Sequence, residues 1–187
     1  DDYAVWSLDG QWIAFASNRN GNNDIYVVPA EGGESRRLTW FSGNDTPKGF
    51  TPDGKQIIFS STRDKAYNGV YLLDVKSLKI QEAFLDMMSV SNPSVSPDGK
   101  EILYNRLNIF PWNRPRYQGS GAAQLWRFDR STGKRIQIRS NGFQHLWPQW
   151  SGEGNAVYTV TVGEKTPSSS YIDKPIPKNV DNVARTP

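Results

Sequence analysis

The stretch that decides the fold is Ser96-Pro97-Asp98-Gly99-Lys100, because variants of it recur along the chain. The other copies are Ser7-Leu8-Asp9-Gly10-Gln11, Thr51-Pro52-Asp53-Gly54-Lys55 and, more weakly, Ser151-Gly152-Glu153-Gly154-Asn155. The acidic residues at positions 9, 53, 98 and 153 lie 44, 45 and 55 positions apart. Asp-Gly is a strong signal for a tight hairpin turn. The chain is therefore predicted to consist of repeated supersecondary units.

The segments between these turns read as short β-strands. The first unit offers strands at 4–7, 12–17, 24–29 and 36–39. No window shows sustained helical periodicity, so helical repeats of similar length are excluded. A period of about 45 residues with four strands per unit is typical of a propeller blade. The sequence thus predicts an all-β fold, a partial β-propeller of four-stranded blades with about three complete blades and part of a fourth.

The repeats divide the chain without a linker. We expect one propeller segment over residues 1–187, with repeats at approximately 4–46, 47–92, 93–147 and an incomplete one at 148–187. The tail from Gly163 to Pro187 is rich in Pro, Ser and Asn, and we predict no further strand in it. A propeller ring normally removes its free edges by closing on itself. We therefore expect this chain to be a fragment, with missing blades on one or both sides.

Composition excludes several function classes. The 187 residues are 36% hydrophobic and 12% aromatic, with 16 Gly and 12 Pro, which suits a folded, turn-rich domain. The absence of Cys rules out disulfides, Cys-based zinc sites, iron–sulfur clusters and a thiol nucleophile. The net charge of +3 is spread thinly, so no nucleic-acid partner is expected. No apolar run is long enough for a membrane span, and no cofactor is expected.

Several motifs resemble known propeller families. The Ser-Pro-Asp-Gly-Lys turns, together with 17–21, Asp24-Ile25-Tyr26 and Arg37-Leu38-Thr39, resemble the blades of TolB-type propellers. Residues 37–43 and 112–121, followed by Leu125-Trp126, are similar to the amino-terminal propeller of tricorn-type serine proteases. This second resemblance covers about residues 4–162. The catalytic domains that follow the propellers of that family have no counterpart in this sequence, so the resemblance implies a non-catalytic segment.

One long loop is the candidate functional site. In a four-stranded blade, the loops between the second and third strands share one end of the propeller with the interblade segments. From the second-strand anchor to the third-strand anchor the repeats span 12, 13 and 23 positions, so the third repeat carries an insertion on this end. Insertions of this length are usually functional or form an interface. Its candidate ligand-binding residues are Trp112, Arg114, Arg116 and Tyr117.

Two interpretations of that insertion remain open. The two guanidinium groups suit bidentate binding of a carboxylate, and the rigid Pro and aromatic residues suit an extended peptide. Alternatively, the aromatic rings pack over the blade edge and the arginines pair with neighbouring acids or another domain.

Other polar residues are interpreted as structural. Arg19 and Arg63 hold equivalent positions, which predicts a repeated hydrogen bond to loop carbonyls. The alternating Asn18, Asn20, Asn22 and Asp24 are similar to an oxygen-rich calcium loop, but they lack its bidentate Glu, and a turn is favoured. The sole histidine, His145, has no second His or Cys with which to bind a transition metal, and a catalytic role is not expected.

Large aromatic residues at strand positions are predicted to fill the wedges between blades. A sugar-binding platform would instead require two such rings exposed on one face. The predicted core aromatics are Trp6, Phe15, Tyr26, Phe59, Tyr71, Tyr104, Trp126, Trp150 and Tyr158.

Three functions fit these observations. The first is a non-catalytic propeller segment of a tricorn-like protease, for peptide substrate access or domain interaction. The second is a TolB-like protein-interaction scaffold of the bacterial envelope, and the third is a four-bladed hydrolase or lyase with acids and bases near the channel. The expected partners are a peptide, a protein or neighbouring domains of the same chain, with self-association through open blade edges as a further route. A periplasmic or envelope location is favoured over a cytoplasmic one.

Overall fold

The computed structural model describes residues 1–107, 119–139, 144–162 and 171–172. These residues form fifteen β-strands and no helix, and the strands are arranged in four antiparallel sheets. Each sheet is called a blade below, numbered in chain order. The predicted all-β fold built from four-stranded blades is confirmed.

The strands of each blade pair in chain order. Blade 1 contains β1 (Asp2–Trp6), β2 (Trp12–Ser17), β3 (Asp24–Pro29) and β4 (Arg36–Arg37). Blade 2 contains β5 (Asp45–Phe50), β6 (Gln56–Ser61), β7 (Gly69–Asp74) and β8 (Ile80–Glu82). Blade 3 contains β9 (Val90–Val95), β10 (Glu101–Arg106), β11 (Gln124–Asp129) and β12 (Arg135–Arg139). Blade 4 contains β13 (Gln144–Trp150), β14 (Val157–Val162) and β15 (Tyr171–Ile172).

The short strand β15 shows that one prediction was wrong. We expected no strand after Gly163, yet Ile172 pairs with Val160 and Tyr171 pairs with Thr161 of β14. The outer edge of β14 offers unpaired backbone donors and acceptors, and Tyr and Ile are residues that favour strands. Two such residues are enough to add a third strand within a Ser- and Pro-rich stretch.

The repeated turn is specified by its own side chains. The Ser7 hydroxyl donates to the Asp9 carboxylate at 2.6 Å and accepts the Trp12 backbone N–H at 2.9 Å. The same Asp9 oxygen accepts the backbone N–H of Gln11 at 3.0 Å. Gly10 has a φ of 69°, a left-handed conformation that glycine adopts without steric cost. Blades 2 and 3 repeat this network through Thr51 and Ser96.

Hydrogen bonds between turns define the two ends of the propeller. The Ala30, Val75 and Arg130 N–H groups donate to the carbonyls of Gln11, Lys55 and Lys100, respectively. These bonds hold the turn after the third strand beside the Asp-Gly turn in each of the first three blades. We call this end the turn face. The opposite end, which carries the β2–β3, β6–β7 and β10–β11 connections and the interblade segments, is called the loop face.

The hydrophobic core lies between consecutive blades. We call the side of a sheet that faces the preceding blade its leading face and the other side its trailing face. The trailing face of blade 1 packs against the leading face of blade 2 through Ala14, Ile25, Val27, Leu38, Ile57, Phe59, Tyr71 and Leu73. Equivalent clusters join blades 2 and 3 and blades 3 and 4. Burial of these apolar faces is the main force that holds the blades together.

The predicted aromatic core is correct for most of its members. Tyr26, Phe59, Tyr71 and Tyr104 are buried, whereas Phe15, Trp126 and Trp150 are half-buried. The prediction was wrong for Trp6, which is 59% exposed, and for Tyr158, which is 41% exposed. Trp6 lies on the leading face of blade 1 and Tyr158 on the trailing face of blade 4, at the two ends of the series of blades. These two rings do not share a face, so they do not form the sugar platform considered above.

The turn that follows β11 predicts a pH effect. The Ser131 hydroxyl and the Thr132 and Ser131 backbone N–H groups lower the pKa of the Asp129 carboxyl from 3.8 to about 2. Because the folded-state pKa is depressed, the stabilisation is present above about pH 4 and is lost as the pH falls through 2. NMR titration should give an Asp129 midpoint near 2, and Ser131→Ala should raise it. An unchanged midpoint in the variant would contradict this assignment.

Candidate binding site on the loop face

Buried aspartates mark the loop face of each of the first three blades. Asp24 and Asp45 have no solvent exposure, and Asp86 is 2% exposed. Each of these carboxylates pairs with an arginine, and the pairs are Asp24 with Arg37, Asp45 with Arg63 at 2.6 Å, and Asp86 with Arg106 at 3.1 Å. A buried carboxylate needs such a partner to offset the loss of its hydration. These paired acids therefore anchor the loops at this end of the blades.

The recurring arginines are structural, but their partners differ from the prediction. We expected Arg19 and Arg63 to bind loop carbonyls, whereas Arg63 binds the Asp45 carboxylate. The Arg19 guanidinium binds the Ser17 hydroxyl at 2.8 Å and the exposed carboxylate of Asp1. A carboxylate forms stronger bonds with a guanidinium than a neutral carbonyl does. The sequence does not identify these acids, because Asp1 and Asp45 each lie 18 positions before the arginine that they bind.

Asn105 fixes the base of the long insertion. Its side-chain amide donates to the carbonyls of Gln124 and His145, and its oxygen accepts the Asn92 amide at 3.0 Å and the Trp147 N–H at 3.1 Å. The β10–β11 ladder continues to the pair formed by Arg106 and Gln124, so the insertion leaves and returns at one point on the loop face. Trp112, Arg114, Arg116 and Tyr117 lie outside the described residues.

Exposed apolar residues on the interblade segments are a feature that the sequence analysis missed. Trp40 follows blade 1 and is 61% exposed, whereas Leu85 and Met87 follow blade 2 and are 60% and 73% exposed. Met88 is also exposed. Flexible Met side chains adapt to varied apolar partners, and exposed apolar groups on a loop face favour contact with another molecule. In the sequence, the signal that could have identified these residues was their position between consecutive repeats.

The first strand of each blade is irregular. The register of its pairing with the second strand shifts in β1, β5, β9 and β13. In three of these strands, the residues Tyr3, Asn92 and Trp147 have positive φ angles. Lys48 lies at the register shift of β5, and its ammonium group is 4.9 Å from the centre of the Tyr3 ring. Partial burial lowers the pKa of Lys48. This cation–π contact stabilises the junction between the first two inner strands.

The remaining polar candidates have protein partners. The Asn20 amide donates to the Tyr26 hydroxyl, and the Asn22 amide donates to the carbonyls of Phe41 and Gly43. Together with the pairing of Asp24 with Arg37, these bonds account for this loop as a structural turn. His145 is a buried residue of β13. No group of three or more His, Cys, Asp or Glu residues suited to a metal ion occurs in the described part of the chain.

The fold and its loop face define a class of protein. Successive four-stranded antiparallel blades, joined by buried apolar faces and repeated Asp-Gly turns, are the architecture of a β-propeller domain. Residues 1–161 match the tricorn protease N-terminal β-propeller domain. The chain belongs to this family. Within the described ranges, no helix has the length and apolar character needed to cross a bilayer.

One relative resembles this chain in sequence, and solved structures resemble it in fold. Dipeptidyl-peptidase 5 of Porphyromonas gingivalis is 41% identical over 184 residues, covering 89% of this chain and 24% of that protein. A solved structure described as TolB from Agrobacterium tumefaciens has a TM-score of 0.74 and 23% identity, over 90% of this chain and 56% of that one. The tricorn protease structure has a TM-score of 0.58 and 12% identity, over 88% and 16%. The chain spans about a fifth to two-fifths of the length of its curated relatives.

Proposed function

We propose that this chain is a non-catalytic propeller segment of a peptidase and that its loop face contacts peptide substrates on their way to a catalytic domain. The observation that carries the proposal is the 41% identity to a dipeptidyl-peptidase over 89% of this chain. The family match to the tricorn protease N-terminal propeller supports the same role.

The chemistry of the loop face suits a peptide. Trp40, Leu85 and Met87 offer exposed apolar contacts, while Arg114 and Arg116 in the insertion offer two guanidinium groups for a carboxylate. An extended peptide has apolar side chains and a terminal carboxylate, so it can use both kinds of contact. Trp112 and Tyr117 would add rigid aromatic surface to this site.

A peptide titration tests this role. The probe is a labelled peptide with a free C-terminal carboxylate, and the matched ligand is the same peptide with a C-terminal amide. Changing Arg114 and Arg116 together to Ala should weaken binding of the carboxylate form by about ten- to a hundredfold, because charged hydrogen bonds are lost. Fluorescence anisotropy measures both affinities, and binding of the amide form should change little.

The control for this experiment lies on the turn face. Arg130 is exposed, and its guanidinium donates to the carbonyl of Gly99. Arg130→Ala removes the same charge from the opposite end of the propeller and should leave peptide affinity unchanged. Equal affinity of the double variant and the unaltered chain would remove Arg114 and Arg116 from the binding site.

The fold similarity to TolB supports a second candidate function, a protein-interaction scaffold of the bacterial envelope. The TM-score of 0.74 to the Agrobacterium tumefaciens structure carries this alternative. Under this alternative, the chain would act in the periplasm or envelope, and its loop face would bind a folded protein partner. Failure of both peptide forms to bind would favour the scaffold over the peptidase segment.

A further inference from the structure

Asn105 differs from the residues at its position in the first two blades. Strand register aligns Asn105 of β10 with Ala16 of β2 and Ser60 of β6, and all three are buried. Ala16 has no polar side-chain atom, and no described residue forms a hydrogen bond with the Ser60 hydroxyl. Of these three blades, only blade 3, which carries the long insertion, has an amide at this position.

The Asn105 side chain joins three strands. Its amide nitrogen donates to the Gln124 carbonyl of β11 at 3.3 Å and to the His145 carbonyl of β13. Its oxygen accepts the Asn92 side-chain amide of β9 at 3.0 Å and the Trp147 backbone N–H of β13 at 3.1 Å. Two donated and two accepted bonds are the full capacity of an amide side chain. One buried residue thus ties blade 3 to the first strand of blade 4.

Two partners of Asn105 have an unfavourable backbone conformation. Asn92 has a φ of 50° and Trp147 a φ of 48°, in the left-handed region that residues with a side chain rarely adopt. Such conformations persist only where the surrounding structure holds them. The bonds from both residues to the Asn105 oxygen help to hold them.

The insertion begins and ends beside Asn105. On the outgoing side, the Leu107 N–H donates to the Ser89 carbonyl at 2.9 Å. On the return side, the Ala123 carbonyl accepts the His145 N–H at 3.4 Å. Asn105 lies two positions before Leu107 and bonds directly to the residue after Ala123. Loss of its amide would therefore change how both ends of the insertion are held.

We propose that Asn105 is a positioning residue for the peptide site, which fixes both ends of the insertion against blade 4 and thereby sets where Arg114 and Arg116 meet the peptide carboxylate. This inference rests on the proposed function. Asn105 has no solvent exposure, so it acts through the insertion and does not touch the peptide. The arginines supply the charge, and Asn105 supplies the support that keeps binding groups in a productive geometry.

Asn105→Ser tests the proposal, because blade 2 has Ser at this position and forms a complete sheet. Fluorescence anisotropy on the 187-residue chain compares the labelled carboxylate peptide with its amide counterpart. The variant should weaken binding of the carboxylate form by about tenfold and of the amide form by less than about twofold. Ser60→Ala is the matched control, since it changes the equivalent position of blade 2, and it should leave both affinities unchanged.

A double-mutant cycle separates positioning from a general structural effect. When Arg114 and Arg116 are both changed to Ala, adding Asn105→Ser should alter the affinity for the carboxylate form by less than about twofold. No guanidinium group of the insertion is then left to place. Losses that add in full would overturn the proposal.

Asn92→Gly is a second, milder variant. It removes the amide that donates to Asn105, and glycine adopts the positive φ angle at this position without steric cost. It should weaken binding of the carboxylate form by about threefold. An unchanged affinity would contradict the proposal, even if Asn105→Ser did not fold.

The unaltered chain distinguishes failure of this inference from failure of the proposed function. If the unaltered chain does not prefer the carboxylate form, the proposed function is wrong and the inference falls with it. If the unaltered chain and Asn105→Ser prefer the carboxylate form equally, only the inference is wrong. Urea unfolding of each variant identifies the conditions under which folded chains are compared.

Discussion

Replacing Arg63 with Met is expected to lower the free energy of unfolding by about 3–5 kcal/mol. The Asp45 carboxylate has no solvent exposure and its Oδ2 lies 2.6 Å from Arg63 Nη2, so the variant leaves a buried charge without its cation. The Arg63 guanidinium also lies 5.1 and 5.5 Å from the centres of the Phe59 and Tyr71 rings, so the variant loses two cation–π contacts as well. Urea unfolding followed by tryptophan fluorescence, at one protein concentration, measures the difference.

Arg19 provides a matched control for this experiment. It holds the equivalent position in blade 1, but its carboxylate partner Asp1 is 57% exposed. Arg19→Met should therefore change the free energy of unfolding by no more than about 1 kcal/mol. Adding Asp45→Leu to Arg63→Met should recover part of the loss, since the buried charge is removed. Equal losses for the two arginines would show that burial of the pair is not what stabilises blade 2.

Truncation of Phe59 to Ala is expected to cost about 3–5 kcal/mol of the free energy of unfolding. Phe59 has no solvent exposure and lies in the cluster that joins blade 1 to blade 2, with Ala14 and Val27 on the opposite side. Blade packing leaves little freedom for the cluster to close the resulting cavity. Urea unfolding followed by tryptophan fluorescence measures the difference.

Phe15 is the matched control for Phe59. Phe15 pairs with Tyr26 as Phe59 pairs with Tyr71, but it lies on the leading face of blade 1 and is half-buried. Phe15→Ala should cost about 1–2 kcal/mol, because less apolar surface is returned to water. A cost as large as that of Phe59→Ala would mean that blade packing does not account for the contribution of Phe59.

The fold was predictable because its signals are local. Each Asp-Gly turn forms hydrogen bonds within a few residues, as between Ser96 and Asp98, so a short stretch of sequence is enough to recognise it. Regular spacing of these turns then predicted the four-stranded blades. Strand β15 was missed because its two residues depend on the free edge of β14 and not on a pattern of their own.

The candidate site was only partly predictable. The length of the insertion between Arg106 and Gln124 can be read from the spacing of repeats, and the two residues are indeed paired at its base. The partners of Arg63 and Arg106 could not be predicted, because Asp45 and Asp86 lie 18 and 20 positions away in the sequence. The exposed methionines were missed because composition does not tell which apolar residues another blade covers.

By itself, the sequence determined the all-β class, the turn chemistry and the repeat of about 45 residues, since these depend on contacts between neighbouring residues. Tertiary structure alone decided which equivalent residues are buried. Ile57 and Ile13 are the same residue type at the same position of the repeat, yet Ile57 is covered by blade 1 and Ile13 is half-buried. The physical reason is that burial depends on the sheet packed against a residue, which a repeated local pattern does not specify.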